Sequence, residues 1–249
     1  MTDMPETFPG LFSIRFQRPL LVARFAEPQR MVSWSLNRPG FVEADEVAWL
    51  EVRNTDLTMD ADPLEWFRTR LETAGLAQAV GMMTSRDVSH HHFALRQVEQ
   101  AQAACLVTLG LNNGECVGTR FPLTAFSTDG AEQTSPEKNK PAQIGTVNIL
   151  LAVNLPLSDA ALLEASSIVV QARTRAILDI GFKRSGNEEA VSGTGTDCVV
   201  MTSPLAPPPE QTPYAGMHTA VGEAIGAATR AAVQEAGTVW MADPRRFSF

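Results

Sequence analysis

The run "GTVNILLAVN" (Gly145–Asn154) constrains this chain more than any other stretch. A strand with one wet face alternates apolar and polar residues. This one is apolar almost throughout, which predicts a strand covered on both faces. Such a strand needs neighbours at both edges and layers above and below. Ser158 then stands where it can cap a long helix, on which Leu162, Ala165, Val169, Ala172, Ala176 and Ile180 share one side and which Gly181 can end. A second apolar strand follows in "TGTDCVVMTS". The proline-rich "PLAPPPEQTPYAGMH" cannot be regular structure, and a last helix runs from near His218 to about Glu235. On that helix Gly222 and Gly226 lie one turn apart, where they allow a close approach.

The first half reads differently. "FSIRF", "LLVARF", "RMVSWSL" and "EVAWLEV" are short strands. A helix then opens at Asp62 as N-cap, with Pro63 in the first position, Glu65 three residues on from the cap, and Gly75 as stop. "AVGMMTS" and "ACLVTLGL" read as further strands, and the polar stretch Ser127–Gln143 as a surface loop that could cover a site. The layout predicts an α+β fold: a layered single domain over residues 1–249 with a mixed β-sheet core and packed helices. A doubly wound α/β fold is the alternative, but the first half supplies too few crossover helices for it.

Charge and cysteine usage narrow the function. A net charge of −8 disfavours a nucleic-acid partner, which needs concentrated Lys and Arg. No apolar run reaches the roughly 20 residues of a membrane helix, and "MTDMPETFPG" does not look like a signal peptide. Cys105, Cys116 and Cys198 lack metal-site spacing, so reduced thiols in the cytoplasm and no structural zinc are expected. His90, His91 and His92 are consecutive and therefore diverge, which suits a solvated edge better than one chelated ion.

Five stretches carry candidate chemistry. "SGTGTDCVV" (Ser192–Val200) is either a plain turn or a site where Gly193, Thr194, Gly195 and Thr196 offer N–H groups and hydroxyls beside Asp197. "LNNGE" (Leu111–Glu115) reads first as a hairpin turn. Asn148, inside the strongest strand, must find partners, structural or ligand. Asn154 and Ser158 border the strand's C-terminal end, a favoured ligand position in α/β units. In "YAGMHTAVGEAIG", Tyr214, His218, Thr219 and Glu223 gather at a helix start, where His218 could carry a proton and Glu223 act as base, or where both are simply cap and surface.

Taken in order, "GTVNILLAVNLPLSDAALLEA", "QARTRAILDIG", "GTGTDCVV" and "YAGMHTAVGEAIG" resemble the adenosylcobinamide amidohydrolase family, best over residues 145–232. "SWSLNRPGF", "AVGMMTSRDV" and "VTLGLNNG" resemble its weaker N-terminal signatures. The resemblance implies a corrinoid-salvage enzyme that cleaves the amide between the cobyric acid part of adenosylcobinamide and its aminopropanol arm. It implies no cofactor, since the cobalt belongs to the substrate, and a corrinoid small molecule as the partner, with no nucleic acid or membrane; oligomeric state stays open. Two departures stand out: "NRPG" (Asn37–Gly40) where the family usually carries Asn-Gly-Gly, and "QART" (Gln171–Thr174) where E-A-K-T is common. They keep a corrinoid-binding protein without hydrolase activity as the alternative.

Amide hydrolysis needs a nucleophile, an oxyanion site and a proton for the leaving amine. The expected arrangement has Asp197 or Glu223 activating water, N–H groups of residues 193–196 holding the oxyanion, and His218 protonating the amine. Thr194 or Thr196 as nucleophile is the alternative. Asn148, Asn154, Ser158, Tyr214 and Thr219 would bind substrate. All of this requires the Gly-Thr turn and the start of the last helix to share one pocket.

Overall fold

A computed structural model describes residues 6–7, 11–53, 56, 62–119 and 145–244. The strands are β1 (Glu6–Thr7), β2 (Ser13–Gln17), β3 (Leu20–Ser33), β4 (Gly40–Glu51), β5 (Val80–Thr84), β6 (His91–Val98), β7 (Ala101–Leu109), β8 (Gly114–Glu115), β9 (Val147–Val153), β10 (Gly193–Thr194) and β11 (Cys198–Pro204). The helices are α1 (Pro63–Thr73), α2 (Asp159–Ile180) and α3 (Ala220–Ala242). The predicted polar loop Ser127–Gln143 lies outside the described residues.

β9 is the axis of the molecule. All seven of its residues are buried. It pairs antiparallel with β7 and parallel with β11. Val147, Ile149, Leu151 and Val153 join an apolar cluster with α2 and α3, while Leu150 and Ala152 join a second cluster on the other face. The mixed sheet and the packed helices are those the sequence predicts.

The second cluster explains the architecture. β3 is one 14-residue strand, not two, and a bulge between Arg24 and Gln29 divides its partners. Its first half pairs with β2 and its second half with β11, while β4 runs along its other edge and β5 lies parallel beyond β4. A bulge adds twist and bend. Across it the sheet turns over on itself, so that Leu21, Val47, Trp49 and Met82 meet Leu106, Leu150 and Val200 in one cluster. α1 seals the outer face of the turned-over part with Phe67 and Leu71 against Val22, Ala48 and Leu50. The layers therefore run helix pair, sheet, sheet, helix.

Local signals set the helix ends. Asp62 accepts from Leu64 N–H and Ser158 from Ala161 N–H, as the cap assignments predict. The last helix departs from expectation. Its cap is Thr219, whose hydroxyl accepts from Gly222 N–H at 3.0 Å and donates to Gly216 O at 2.7 Å. It begins two residues after His218 and continues to Ala242, because its apolar face is buried as far as Trp240. α2 and α3 run in the same direction, since Gly226 lies by Ile168 and Gly237 by Ile180. Among the described residues no helix is long and apolar enough to cross a membrane.

The two glycines of α3 are not equivalent. A Cβ at 222 would lie 2.1 Å from Gly216 O, whereas one at 226 would meet Ile168 Cγ2 at an ordinary 3.6 Å. Gly222→Ala should therefore destabilise the protein by about 1–3 kcal/mol through overpacking. Gly226→Ala should instead be neutral or stabilise it by about 0.5–1 kcal/mol. Denaturant melts of the two variants beside wild type measure the difference, and equal effects would contradict the packing.

Candidate functional site

The Gly-Thr turn between β10 and β11 sits where β9 begins, and Asp197 organises it. Oδ1 of Asp197 accepts from Val147 N–H at 3.1 Å and from the Thr194 hydroxyl at 2.5 Å. Oδ2 accepts from Thr194 N–H at 3.1 Å and faces Arg173 Nη1 of α2 at 2.9 Å. Both charged side chains are largely buried, at 7% exposure for Asp197 and 12% for Arg173. Gly193 is required beside them, because a Cβ there would lie 2.6 Å from Asp197 Oδ2. β10 is held from below by antiparallel pairing with β8.

The turn itself faces outward. Thr194 is half-buried, and Gly195 and Thr196 are exposed. The N–H groups of Gly195 and Thr196 have no acceptor among the described residues. The Thr196 hydroxyl donates to Gly145 O at 3.2 Å. Beneath the turn, the Thr146 hydroxyl bonds Thr196 O at 2.9 Å and Asn148 Oδ1 at 3.1 Å. Asn148 Nδ2 in turn donates to Met83 O at 2.7 Å, which ties β9 to the end of β5. Asn148 is thus a satisfied structural asparagine under the site.

Burial pushes the Asp197 carboxyl above the usual aspartate range; the Arg173 charge and the donors from Thr194 and Val147 pull it partly back. A carboxylate so placed is a stronger proton acceptor than an exposed one, and the hydroxyl within its reach is that of Thr194. All its oxygens are in use, which leaves no position on it for an activating water. The neighbouring thiol of Cys198 is pushed up to about 12 by burial and then by the Asp197 charge, so it supplies no thiolate at neutral pH.

The other predicted residues lie elsewhere. From Val147, bonded to Asp197, to Val153 the strand rises about 20 Å, and Asn154 stands beyond that far end. Asn154 accepts from Gln102 N–H and donates to Gln100 O, closing the β6–β7 turn. Ser158 and Thr219 are helix caps. Ala215 N–H donates to Glu164 Oε2, so the Tyr214–Thr219 loop docks near the start of α2, about 14 Å along that helix from Arg173. Tyr214, His218 and Glu223 are exposed there.

The expected single pocket is therefore corrected. His218 and Glu223 do not meet Asp197, because α2 and α3 both start at the end of the sheet opposite the Gly-Thr turn. A cleft of about 490 Å³ does open at that opposite end, lined in part by Arg30, Leu157, Asp159 and Gln211. Arg30 and Asp159 satisfy each other across it with bonds of 2.9 and 2.8 Å.

Other readings resolve simply. "LNNGE" is a turn closed by Gly114 N–H to Leu111 O, but it joins β7 to β8, which pairs with β10, so no hairpin forms. His91 Nδ1 bonds Val88 O while His92 Nδ1 lies 3.5 Å from Glu235 Oε1, and the rings diverge along edge strand β6. Among the described residues no group of three or more His, Cys, Asp or Glu could hold a metal ion. Sequence reasoning missed three residues beside the turn: Arg173, met only as part of the altered "QART" motif, Thr146 and Trp34. Thr146 stands two residues before Asn148 on the same strand face, a spacing that could have marked it. Trp34 donates its indole N–H to Asp197 O at 2.6 Å, and it belongs to the "SWSL" stretch expected to be strand.

The model of the adenosylcobinamide amidohydrolase family matches residues 6–244. A protein of Methanocaldococcus jannaschii is 35% identical over 95 residues, 38% of this chain and 36% of that one. The adenosylcobinamide amidohydrolase of Methanosarcina mazei is 31% identical over 135 residues, 51% of this chain and 62% of that one. The chain thus spans less than two thirds of either relative. Among solved structures, a Pyrococcus horikoshii protein is similar with a TM-score of 0.44 and 11% identity, covering 94% of this chain and 79% of that one. The L-aminopeptidase D-Ala-esterase/amidase of Ochrobactrum anthropi has a TM-score of 0.36 and 12% identity, covering 93% and 83%. Both scores are too low to show a shared fold.

Removing Arg173 should strand the buried Asp197 charge. Arg173→Met is expected to lose about 3 kcal/mol of stability at neutral pH. The folded-state pKa of Asp197 is raised, so protonation favours the folded form, and stability tied to this group is lost as pH rises through that pKa. The gap between Arg173→Met and wild type, in which the other carboxylates cancel, should narrow as pH falls below the Asp197 titration. Urea melts across acidic to neutral pH test this, and a gap independent of pH would contradict it.

Proposed function

The chain belongs to the adenosylcobinamide amidohydrolase family, and on that premise we propose that it hydrolyses the amide joining the cobyric acid part of adenosylcobinamide to its aminopropanol arm. One observation carries the reading: a threonine hydroxyl hydrogen-bonded to a buried carboxylate whose proton affinity is raised, on a turn with two open N–H groups. The name of the Methanosarcina mazei relative supports the same substrate.

The chemistry follows from the parts. Thr194 Oγ1 attacks the amide carbonyl carbon and passes its proton to Asp197. The Gly195 and Thr196 N–H groups receive the oxyanion of the tetrahedral intermediate. Asp197 returns the proton to the aminopropanol nitrogen as the C–N bond breaks, leaving an ester between Thr194 and the corrinoid acid. Once Thr194 is esterified its hydroxyl no longer donates to Asp197 Oδ1; water takes that place, is deprotonated by the carboxylate, attacks the ester and frees adenosylcobyric acid and Thr194. Arg173 acts through Asp197: its charge opposes the rise in pKa and so favours the ionised carboxylate that the first step needs. The altered "QART" motif thus retains a cation where the turn uses one.

Mass analysis of released aminopropanol from adenosylcobinamide tests the assignment. Thr194→Ala, with folding intact, should cut turnover at least a hundredfold, and Thr194→Ser should retain measurable rate. Glu223→Gln and His218→Gln should stay within about threefold of wild type, since neither reaches the turn. Near-normal turnover in Thr194→Ala would remove the nucleophile proposed here. Binding without any aminopropanol release by wild type would favour a corrinoid-binding protein instead.

A further inference from the structure

The segment leading out of β3 inverts the usual pattern of burial. Ser33 and Ser35 are buried, at 6% and 4% exposure, with their hydroxyls 2.9 Å apart. The alternate residues Trp34 and Leu36 are 50% and 45% exposed. Burying the indole and the leucine and exposing the serines would be favoured by the apolar area removed from water. Large apolar groups outside and small polar groups inside are errors of patterning unless they serve a function.

The segment is also firmly held. Ser35 Oγ–H donates to Asn37 O at 2.9 Å, Asn37 Nδ2 donates to Ala79 O at 2.8 Å, and Asn37 bridges to Gly81 in β5. The indole is fixed by its N–H bond to Asp197 O. An exposed aromatic ring is therefore anchored to the residue whose carboxylate holds the Thr194 hydroxyl.

We propose that Trp34, with Leu36, is the apolar platform on which the substrate's planar macrocycle lies while its amide arm reaches Thr194. The inference rests on the assignment of the Gly-Thr turn as the amidohydrolase site. The occupant follows from continuity with that site: a broad, flat ring with amide arms offers an apolar face to the indole and a reactive arm to the turn. Such a platform selects macrocyclic amides over small linear ones, whose scissile bond is the same.

The test uses adenosylcobinamide, with kcat and KM from aminopropanol release and Kd measured in the Thr194→Ala background. Trp34→Ala should raise KM and Kd roughly tenfold, as loss of aromatic stacking does, and leave kcat within about threefold. Trp34→Phe keeps a ring without the N–H and should bind nearly as wild type. Leu36→Ser, at a position already exposed, should raise Kd severalfold and carries the test should Trp34→Ala not fold. A residue that only supports the turn gives the opposite split: both Trp34 variants lower kcat alike with Kd unchanged, which overturns the platform. Unchanged Kd and KM in Trp34→Ala, with Thr194→Ala inactive, also overturns it and leaves the reaction standing. Binding by wild type without hydrolysis removes the reaction, and the Kd series then decides the platform alone. No binding by wild type removes both.

Discussion

A buried ion pair holds the candidate site together. Arg173 and Asp197 lie 2.9 Å apart with little access to solvent, so neither charge is tolerable without the other. The pair links the middle of α2 to the turn before β11, and three further donors converge on the same carboxylate. Glycine at 193 follows from it, because the carboxylate occupies the space a side chain would need. The conformation of Thr194, the outward N–H groups of the turn and the lodging of Trp34 all depend on where that carboxylate is held.

The site's position within the fold departs from a familiar rule. In open α/β sheets ligands gather beyond the C-terminal ends of parallel strands, beside helix N-termini. Here β9 and β11 are parallel, yet the clustered chemistry is at their N-terminal ends. At the other end, the helix starts are occupied by their own caps, Ser158 and Thr219, by the bond of Glu164 to Ala215, and by the Arg30–Asp159 pair. The doubled-over sheet makes the difference. β5 comes up beside the start of β9 through Asn148 and Met83, and the β3–β4 connection brings Trp34 over the turn. Long-range pairing thus assembles the site from five separate stretches of chain.

That assembly also relates the first and second halves of the chain. The strongest motif resemblance lies after residue 145, but the family match extends over residues 6–244. The N-terminal half supplies the second β layer, the lid of α1, and the indole beside Asp197. Asn37 in "NRPG" serves that half structurally, through Ala77, Ala79 and Gly81.

Much was legible from residue order alone. The doubly buried strand at 147–153, the caps at Asp62 and Ser158, the stops at Gly75 and Gly181 and the mixed, layered fold follow from periodicity and local hydrogen bonding, which act over a few residues. The hydrogen bonding within the Gly-Thr turn was legible for the same reason: Thr194 and Asp197 are three residues apart. What the sequence could not determine was which motifs meet. Two helix starts and one turn, each rich in polar residues, look equally catalytic on paper. The bend at the β3 bulge and the shared direction of α2 and α3 put His218 at one end and Asp197 at the other. That choice belongs to tertiary structure, because burial and strand pairing act between residues far apart in the chain, and only they decide which side chains share an environment.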